Sequence, residues 1–486
     1  MVVFTAGYLA WSALKIAHHQ MWRDELQPWS LARSSSSLGQ LISRVRYEQH
    51  SPGWYVLLWV VSRFTSSPEA VQVLLFVLVV VTVIYVVWVA PFPIPLRFCL
   101  LFGYFLLFEY STIGRPYILN FLLGVIGAEF VRRRRFSSWF ALTLVGLVLF
   151  DDAFGTIIAV ALITASFVRV SRDPAAEAER KQVVGAAVAA VLAQIFVLAL
   201  SKAPANYGGP TLQLTHLLHL YSVQGHQALE QPFNALFPLP NFDVQFWNTF
   251  VVDNLASGLV IILSLTAVAA IARALRSDRS AQVLWLVTVV MTVGFLDAGS
   301  ETSSRFVGTI FVGVVAAFWI HPDVRLARPQ SALMVILTVV LVLQIPGGIV
   351  ALAISSSHPF SEAKNVAAVV RDLPGTVVAS PDYSATPVSV YANRPLYMAQ
   401  TARFGTYTVW NNKIICIRTQ CLYNVLAPQA IKHAMSFARA GPTYLLLDFP
   451  LQNRVPRTTL CRAFTGAINP TEDYWLYSVD HAPCPA

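Results

Sequence analysis

The stretch Met21-Trp22-Arg23-Asp24-Glu25-Leu26 places two carboxylates and a guanidinium directly after the first apolar segment of a chain otherwise short of charge. Glu48 and His50 follow on the same loop, with Tyr55 just beyond. Further along stand Arg115 with Tyr117 and Asn120, the pair Asp151-Asp152, and Arg305 after Ser300-Glu301-Thr302-Ser303-Ser304. A carboxylate in this set can take a proton from an attacking hydroxyl, and fixed arginines can balance the charge of a departing phosphate. Acids alone would suggest a proton relay, and arginines alone contact with lipid headgroups. Both signs together suit the reaction of an anionic lipid with a nucleophile that must be deprotonated.

Composition assigns these groups to a lipid boundary. Of 486 residues 56% are hydrophobic and 12% charged, against about 25% charged in soluble domains, and the mean hydropathy is +0.58. The expected fold is a polytopic α-helical membrane protein. The net charge of +9 lies in short loops rather than on one amphipathic face, which argues against nucleic acid as a partner. Met1 to His19 lacks a basic start and a small-residue cleavage site, so it reads as a retained first span rather than a signal peptide.

A bilayer needs about 20 apolar residues per crossing. Beyond the first segment, the runs are roughly Ala70–Ala90, Phe98–Tyr110, Tyr117–Val131, Trp139–Phe150, Ala153–Val168, Val183–Leu200, Phe250–Ala272, Ala281–Leu296, Phe306–Ile320 and Ser331–Ile354, so about eleven spans are expected. Fourteen Lys and Arg residues (Arg97, Arg132 to Arg135, Arg169, Arg172, Arg180, Lys181, Arg273, Arg276, Arg279, Arg325, Arg328) fall in alternate loops, against Arg115, Lys202 and Arg305 in the others. The basic set is cytoplasmic by the positive-inside rule. Asp24 then lies outside, and parity requires Ser51 to Phe64 to lie along the membrane or re-enter shallowly. Leu38–Arg46, with Leu38, Leu41, Ile42 and Val45 at helical spacing, reads as a second interfacial helix.

Residues 1–354 thus form a transmembrane domain, with a structured first external loop at about 20–69 and a second at 201–249 that is long enough to cover a site. Residues 355–486 read as a small extracytoplasmic α/β domain: a helix at Ser361–Asp372, a strand at Thr376–Ser380, a helix near Pro428–Ala440 and a strand at Tyr444–Leu447. Cys416, Cys421, Cys461 and Cys484 lie in it, and an even number in an exported domain suggests disulfides, with three pairings open.

An acidic pair after span one, His50-Ser51-Pro52-Gly53-Trp54-Tyr55, Arg115-Pro116-Tyr117 entering a span and then a polybasic turn resemble, in that order, the GT-C superfamily of integral-membrane glycosyltransferases. The protein O-mannosyltransferases and the aminoarabinose transferases of bacterial envelopes are the nearest in pattern. The resemblance implies a polyprenyl-phosphate sugar as donor, a lipid, glycan or protein acceptor, inversion at the anomeric carbon and transfer on the extracytoplasmic face of the plasma (inner) membrane. It implies Asp24 as general base, supported by Glu25, with Arg115 and Arg305 holding the donor phosphate and Glu48, His50, Tyr55, Tyr117, Asn120 and Asp152 around the substrate. The pattern is broken at Asn120, where many relatives carry a second Asp, and at Ser51, where Pro is more usual. An amide orients but cannot take a proton, so a second acid must come from Glu25, Glu48 or Asp151-Asp152, or be absent.

Other readings stand beside these. Asp24 could end a helix paired with Arg23, His50 could cap the following helix, and Arg115 could snorkel to headgroups. Glu48 with His50 could hold a divalent cation, though no metal is assigned, and His216, His219 and His226 have spacing too unspecific for a ligand set. A proton-coupled transporter or lipid flippase for an anionic lipid-linked substrate is the alternative function. It should show related halves, and the sequence has no such repeat.

Overall fold

The computed structural model describes residues 1–151, 153–171, 173–209, 223–299, 303–325, 328–414, 422–480 and 482–485. Helices α1 (Val2–His18), α2 (Arg23–Ser34), α3 (Leu38–Val45), α4 (Pro52–Val61) and α5 (Ala70–Val89) come first. Then α6 (Ile94–Leu101) passes through a π turn at Phe105–Glu109 into the single turn α7 (Tyr110–Thr112). They are followed by α8 (Tyr117–Arg132), α9 (Ser138–Phe150), α10 (Phe154–Ser171), α11 (Glu177–Ser201), α12 (Val223–Leu236), α13 (Ser257–Ala274), α14 (Arg279–Ala298), α15 (Ser304–Ile320) and α16 (Ala332–Ser357).

Among the described residues six helices are long and apolar enough to cross a membrane (α5, α10, α11, α13, α14 and α16), or seven if the bent pair α6–α7 counts as one span. The expected eleven is not reached by that measure, because α1, α8, α9 and α15 have 17, 16, 13 and 17 residues. The run Phe98–Tyr110 is not a straight helix: its two halves are inclined at 58°. Phe250–Ala272 is also corrected, since 251–254 is a 3₁₀ turn and the helix begins at Ser257. The apolar character is not spent on protein contacts alone. On α11, Val188, Val191, Leu192, Ile195 and Phe196 face outward while Val183, Ala186 and Ala190 face in. A helix apolar all round belongs in lipid. By contrast α15 is buried from Val307 to Ile320, so it is the central post of the bundle.

The C-terminal domain contains α17 (Ala363–Val370), β1 (Thr376–Ser380), α18 (Asp382–Ala392), β2 (Leu396–Met398), β3 (Arg403–Gly405), α19 (Ala427–Ala438), β4 (Thr443–Leu447), β5 (Thr458–Phe464) and β6 (Tyr474–Val479). Its sheet has the order β3-β2-β1-β4-β6-β5, with β2, β1 and β4 parallel. Side chains alternate between faces as strand geometry requires. Val377, Ala379, Tyr444 and Leu446 join one core, and Val378, Leu445 and Leu447 join another under α19. Cys461 and Cys484 form a disulfide, whereas Cys416 and Cys421 lie outside the described residues.

Helices α3 and α4 stand where the sequence predicts Leu38–Arg46 and the apolar stretch Ser51 to Phe64, and α2 adds a third helix to this segment. Pro52 opens α4 at a position where a missing N–H costs nothing, and Ser37 caps α3 by accepting from the Gln40 amide at 3.2 Å. The apolar faces of these helices do not end at the membrane. Leu26, Trp29, Leu31, Leu41, Trp54 and Leu58 share one buried cluster with Val366, Val370, Val388 and Leu396 of the C-terminal domain. Gln27 ties the two parts further, its Nε2 donating to the Thr408 carbonyl at 2.8 Å and its Oε1 accepting from the Thr408 amide at 2.9 Å. The loop and the last 130 or so residues therefore pack as one body capping the helical bundle.

Candidate active site

The first turn of α2 is shaped by Glu25. Its carboxylate reaches back to the Trp22 amide at 3.2 Å, accepts from His19 Nε2 at 2.8 Å and accepts from the Gly114 amide. Glu25 has no exposed surface, and both its oxygens are engaged. It is placed to position the site rather than to react. The Gly114 turn can approach because it lacks a side chain: a Cβ there would lie 2.8 Å from Val71 Cγ1 and 2.9 Å from Glu25 Oε1. Arg115 is thereby presented to α2, where its Nη1 donates to the Asp24 carbonyl at 3.0 Å.

Asp24 projects from the same turn into the bundle mouth. Its Oδ2 accepts from Arg305 Nη1 at 2.5 Å, and its Oδ1 lies 3.6 Å from Arg23 Nε. Arg305 sits on the first turn of α15, the end of the buried central helix. Asn248 caps that end, its Oδ1 accepting from the Ser304 amide at 2.9 Å and the Ser303 hydroxyl at 2.8 Å. The rings of Trp22, Trp247 and Phe306 surround the guanidinium at 5.7, 5.9 and 4.8 Å, a cationic seat walled by aromatic faces. The long segment between α11 and α13 thus supplies Trp247 and Asn248 directly to the site.

Burial pushes the Asp24 carboxyl up, but Arg305, Arg23 and Arg115 outweigh it and hold the group at about 2. It is a carboxylate at any ordinary pH and, in this ion pair, a weak base. Glu48 shows the opposite balance: burial outweighs the hydrogen bond from Gln27 Nε2 at 2.8 Å and raises it to about 8. A half-buried acid raised so far, within electrostatic range of Arg115 and Asp24, can carry a proton beside them. His50 is exposed and within electrostatic range of Arg115, Asp24 and Arg305. Its neighbours hold the backbone: the Ser51 hydroxyl donates to the Val148 carbonyl at 2.9 Å, and Gly53 packs against the Leu149 backbone. The His-x-Pro element therefore docks α4 on the end of α9.

Tyr55 and Asn120 are both buried. The Tyr55 hydroxyl faces Arg115, and Arg115 Nε, Asn120 Oδ1 and Trp22 Nε1 have no hydrogen-bond partner among the described residues. Tyr117, on the first turn of α8, faces both Arg115 and Arg305. A small recess leads inward from Arg305, lined by Tyr110, Tyr117, Asn120, Asp151 and Phe154 among others. Asp151 accepts from Asn120 Nδ2 at 2.7 Å and from the Phe154 amide at 3.0 Å, capping α10. A carboxylate is thus present beside Asn120. Asp152, the member of the pair expected to contact substrate, lies outside the described residues, as do Glu301, His216 and His219.

Several charged groups of the site have little or no mark in the sequence. Glu109, buried on the π turn, accepts from Tyr104 at 3.1 Å, Trp247 Nε1 at 3.2 Å and Ser304 at 3.2 Å. It pins the second external loop to the start of α15, and its only signal was an acid inside the apolar run Phe98–Tyr110. From the C-terminal domain, Glu472 accepts from the Arg23 amide at 3.3 Å, Ser361 at 2.7 Å and Tyr474 at 3.0 Å. Asp448 accepts from the Ser384 hydroxyl at 2.5 Å. Burial raises both acids to about 7, against the pull of Arg23.

Among the described residues no group of three or more His, Cys, Asp or Glu is arranged to hold a metal ion. The arrangement can bind an anion on two arginines, present a carboxylate to whatever that anion carries, and shield both behind aromatic rings. Compared with known proteins, the chain matches no family model, and neither the curated proteins nor the solved structures gave a match.

Proposed function

We propose that this chain is an inverting glycosyltransferase of the GT-C kind, moving a sugar from a polyprenyl-phosphate donor to a hydroxyl acceptor on the extracytoplasmic face of the membrane. The observation that carries the reading is the ion pair of Asp24 with Arg305 at 2.5 Å, with Arg115 donating to the Asp24 carbonyl at 3.0 Å, where apolar helices meet a folded cap. The donor phosphate takes Arg305 and Arg115, whose charges offset the negative charge that grows on the leaving oxygen. The acceptor oxygen bonds to the anomeric carbon as the carbon–oxygen bond to phosphate breaks. The electron pair leaves with the phosphate, and the acceptor proton goes to Asp24.

The low basicity of Asp24 beside Arg305 fits this sequence of events. A phosphate on Arg305 competes for the guanidinium that holds Asp24 near 2, so donor binding itself restores a base able to accept a proton. The disulfide Cys461–Cys484 agrees with an oxidising compartment for the C-terminal domain. The eleven crossings that loop charge requires would take α1, α8, α9, α15 and the bent pair in addition to the six longer helices. The test is purified, detergent-solubilised protein supplied with undecaprenyl-phosphate sugars. Asp24→Asn is expected to lower transfer by about 10²-fold or more with expression and thermal stability intact, and wild-type turnover in that variant would refute the assignment.

A further inference from the structure

Glu109 ends the π turn Phe105–Glu109 and has no exposed surface. Burying a carboxylate is costly, and apolar side chains would join the same helices without that cost. Turns of this kind interrupt α-helices mainly at functional sites. This one is pressed onto the start of α15: a Cβ on Gly308 would lie 2.7 Å from Phe105 Cε1, and the Phe105 ring stacks on Phe311 with centres 5.1 Å apart. Glu109 thereby meets Ser304, one turn before Gly308 and next to Arg305.

Asn248 Oδ1 has two lone pairs, and the Ser304 amide at 2.9 Å and the Ser303 hydroxyl at 2.8 Å fill them. The single hydroxyl proton of Ser304, itself 2.9 Å from that oxygen, is then left for Glu109 Oε2 at 3.2 Å. The same carboxylate oxygen accepts from the Tyr104 hydroxyl at 3.1 Å and from Trp247 Nε1 at 3.2 Å. All three partners donate, so the position calls for a group that only accepts. A carboxylate is such a group, whereas an amide would turn an N–H toward one of the donors. Trp247 and Ser304 lie 138 and 195 residues from Glu109 in sequence, and both border Arg305. The Trp247 ring is 5.9 Å from the guanidinium, Ser304 precedes Arg305 on α15, and Glu109 itself is within electrostatic range of that charge.

We propose that Glu109 is a positioning residue of the donor-phosphate site. It holds Ser304, and with it the turn that presents Arg305, and it orients the Trp247 indole beside the guanidinium, while touching no substrate itself. The inference rests on the glycosyl-transfer reading for its use in donor binding, but the clamp is measurable without any donor.

Two measurements on the full-length protein in detergent test it. In protein carrying 5-fluorotryptophan, the Trp247 fluorine resonance, identified by its loss in Trp247→Phe, should move in Glu109→Gln and in Ser304→Ala. In unlabelled protein, Glu109→Gln should weaken undecaprenyl phosphate binding, read by tryptophan quenching, by about tenfold, and Ser304→Ala and Trp247→Phe by about threefold each. Combining all three substitutions should cost little more than Glu109→Gln alone, because the same contacts are removed. A residue that only stabilises the fold would lower the unfolding midpoint and leave the affinity of the folded protein unchanged. Unchanged affinity in folded Glu109→Gln, or losses that multiply, overturns the proposal; should that variant not fold, unchanged affinity in both Ser304→Ala and Trp247→Phe does so. Failure of the wild type to bind undecaprenyl phosphate sinks the donor reading instead, and the fluorine resonance still decides the clamp: a signal unmoved by Glu109→Gln and Ser304→Ala refutes it.

Discussion

Glu25 accepts a hydrogen bond from the backbone amide of Gly114, residues 89 apart in sequence, and so fixes the distance between Asp24 and Arg115 without touching either side chain. Two reacting groups on separate elements are useful only if their spacing is set by something rigid. A buried carboxylate with every oxygen occupied is rigid in this sense.

Substituting this clamp should separate positioning from chemistry. Glu25→Gln keeps the shape but removes the charge shared by His19 and Gly114, and is expected to cost about 2 kcal/mol of stability together with a fall in transfer rate. Gly114→Ala drives a methyl group toward Glu25 Oε1 and Val71, and should lower transfer in a protein that still folds. Rates and unfolding midpoints for both variants decide the matter; full activity in Gly114→Ala would show that the spacing is not critical.

Stability should depend on pH in an unusual direction. Glu48 titrates at about 8 in the folded protein against 4.5 ordinarily, so folding favours its protonated form. Its contribution is fully present below the unfolded value and is lost as pH rises through about 8. Asp448 and Glu472, both near 7, add in the same sense. The unfolding midpoint is therefore expected to fall from pH 5 toward pH 8, with a shallower fall in Glu48→Gln. A rising midpoint over that range would contradict the burial of these acids.

How much of this is legible in the sequence depends on contrast. Asp24, Arg115 and Arg305 stand out because charge is rare in their surroundings, and the loop-charge asymmetry assigns them one side. Asp448 and Glu472 do not, because they belong to a domain of ordinary polarity where an acid signals nothing until its neighbours are known. Glu109 is hidden for the opposite reason: one carboxylate in a thirteen-residue apolar run reads as a tolerated exception. Helix α2 is obscured by Pro28 and a polar composition, and its packing on the C-terminal domain outweighs both. The strands β2 and β3 have three residues each, too few for a period to show.

The aromatic wall around Arg305 predicts a donor phenotype. Trp247→Ala removes a ring 5.9 Å from the guanidinium and a donor to Glu109. It is expected to weaken undecaprenyl phosphate binding by about fivefold, the worth of one cation–π contact, measured by titration of the remaining tryptophan fluorescence. An affinity equal to that of the wild type would remove the second external loop from the donor site.

Sidedness is open to direct labelling. Ser66 and Ile94 are exposed at opposite ends of α5, and single cysteines there should react from opposite faces of sealed cells or vesicles, position 66 from outside and position 94 from inside. Reaction of both from one side would break the parity count that puts Asp24 on the outer face.

The shared core of the first external loop and the C-terminal domain also constrains the order of assembly. Asp24 leaves the ribosome 281 residues before Arg305, and Arg23 leaves it 449 residues before the Glu472 that receives its amide. Until then α2, α3 and α4 have an apolar face with nothing to cover it but lipid. The newborn chain therefore waits, and a polypeptide ended before Glu472 lacks the partners that hold Arg23 and Asp24 in place.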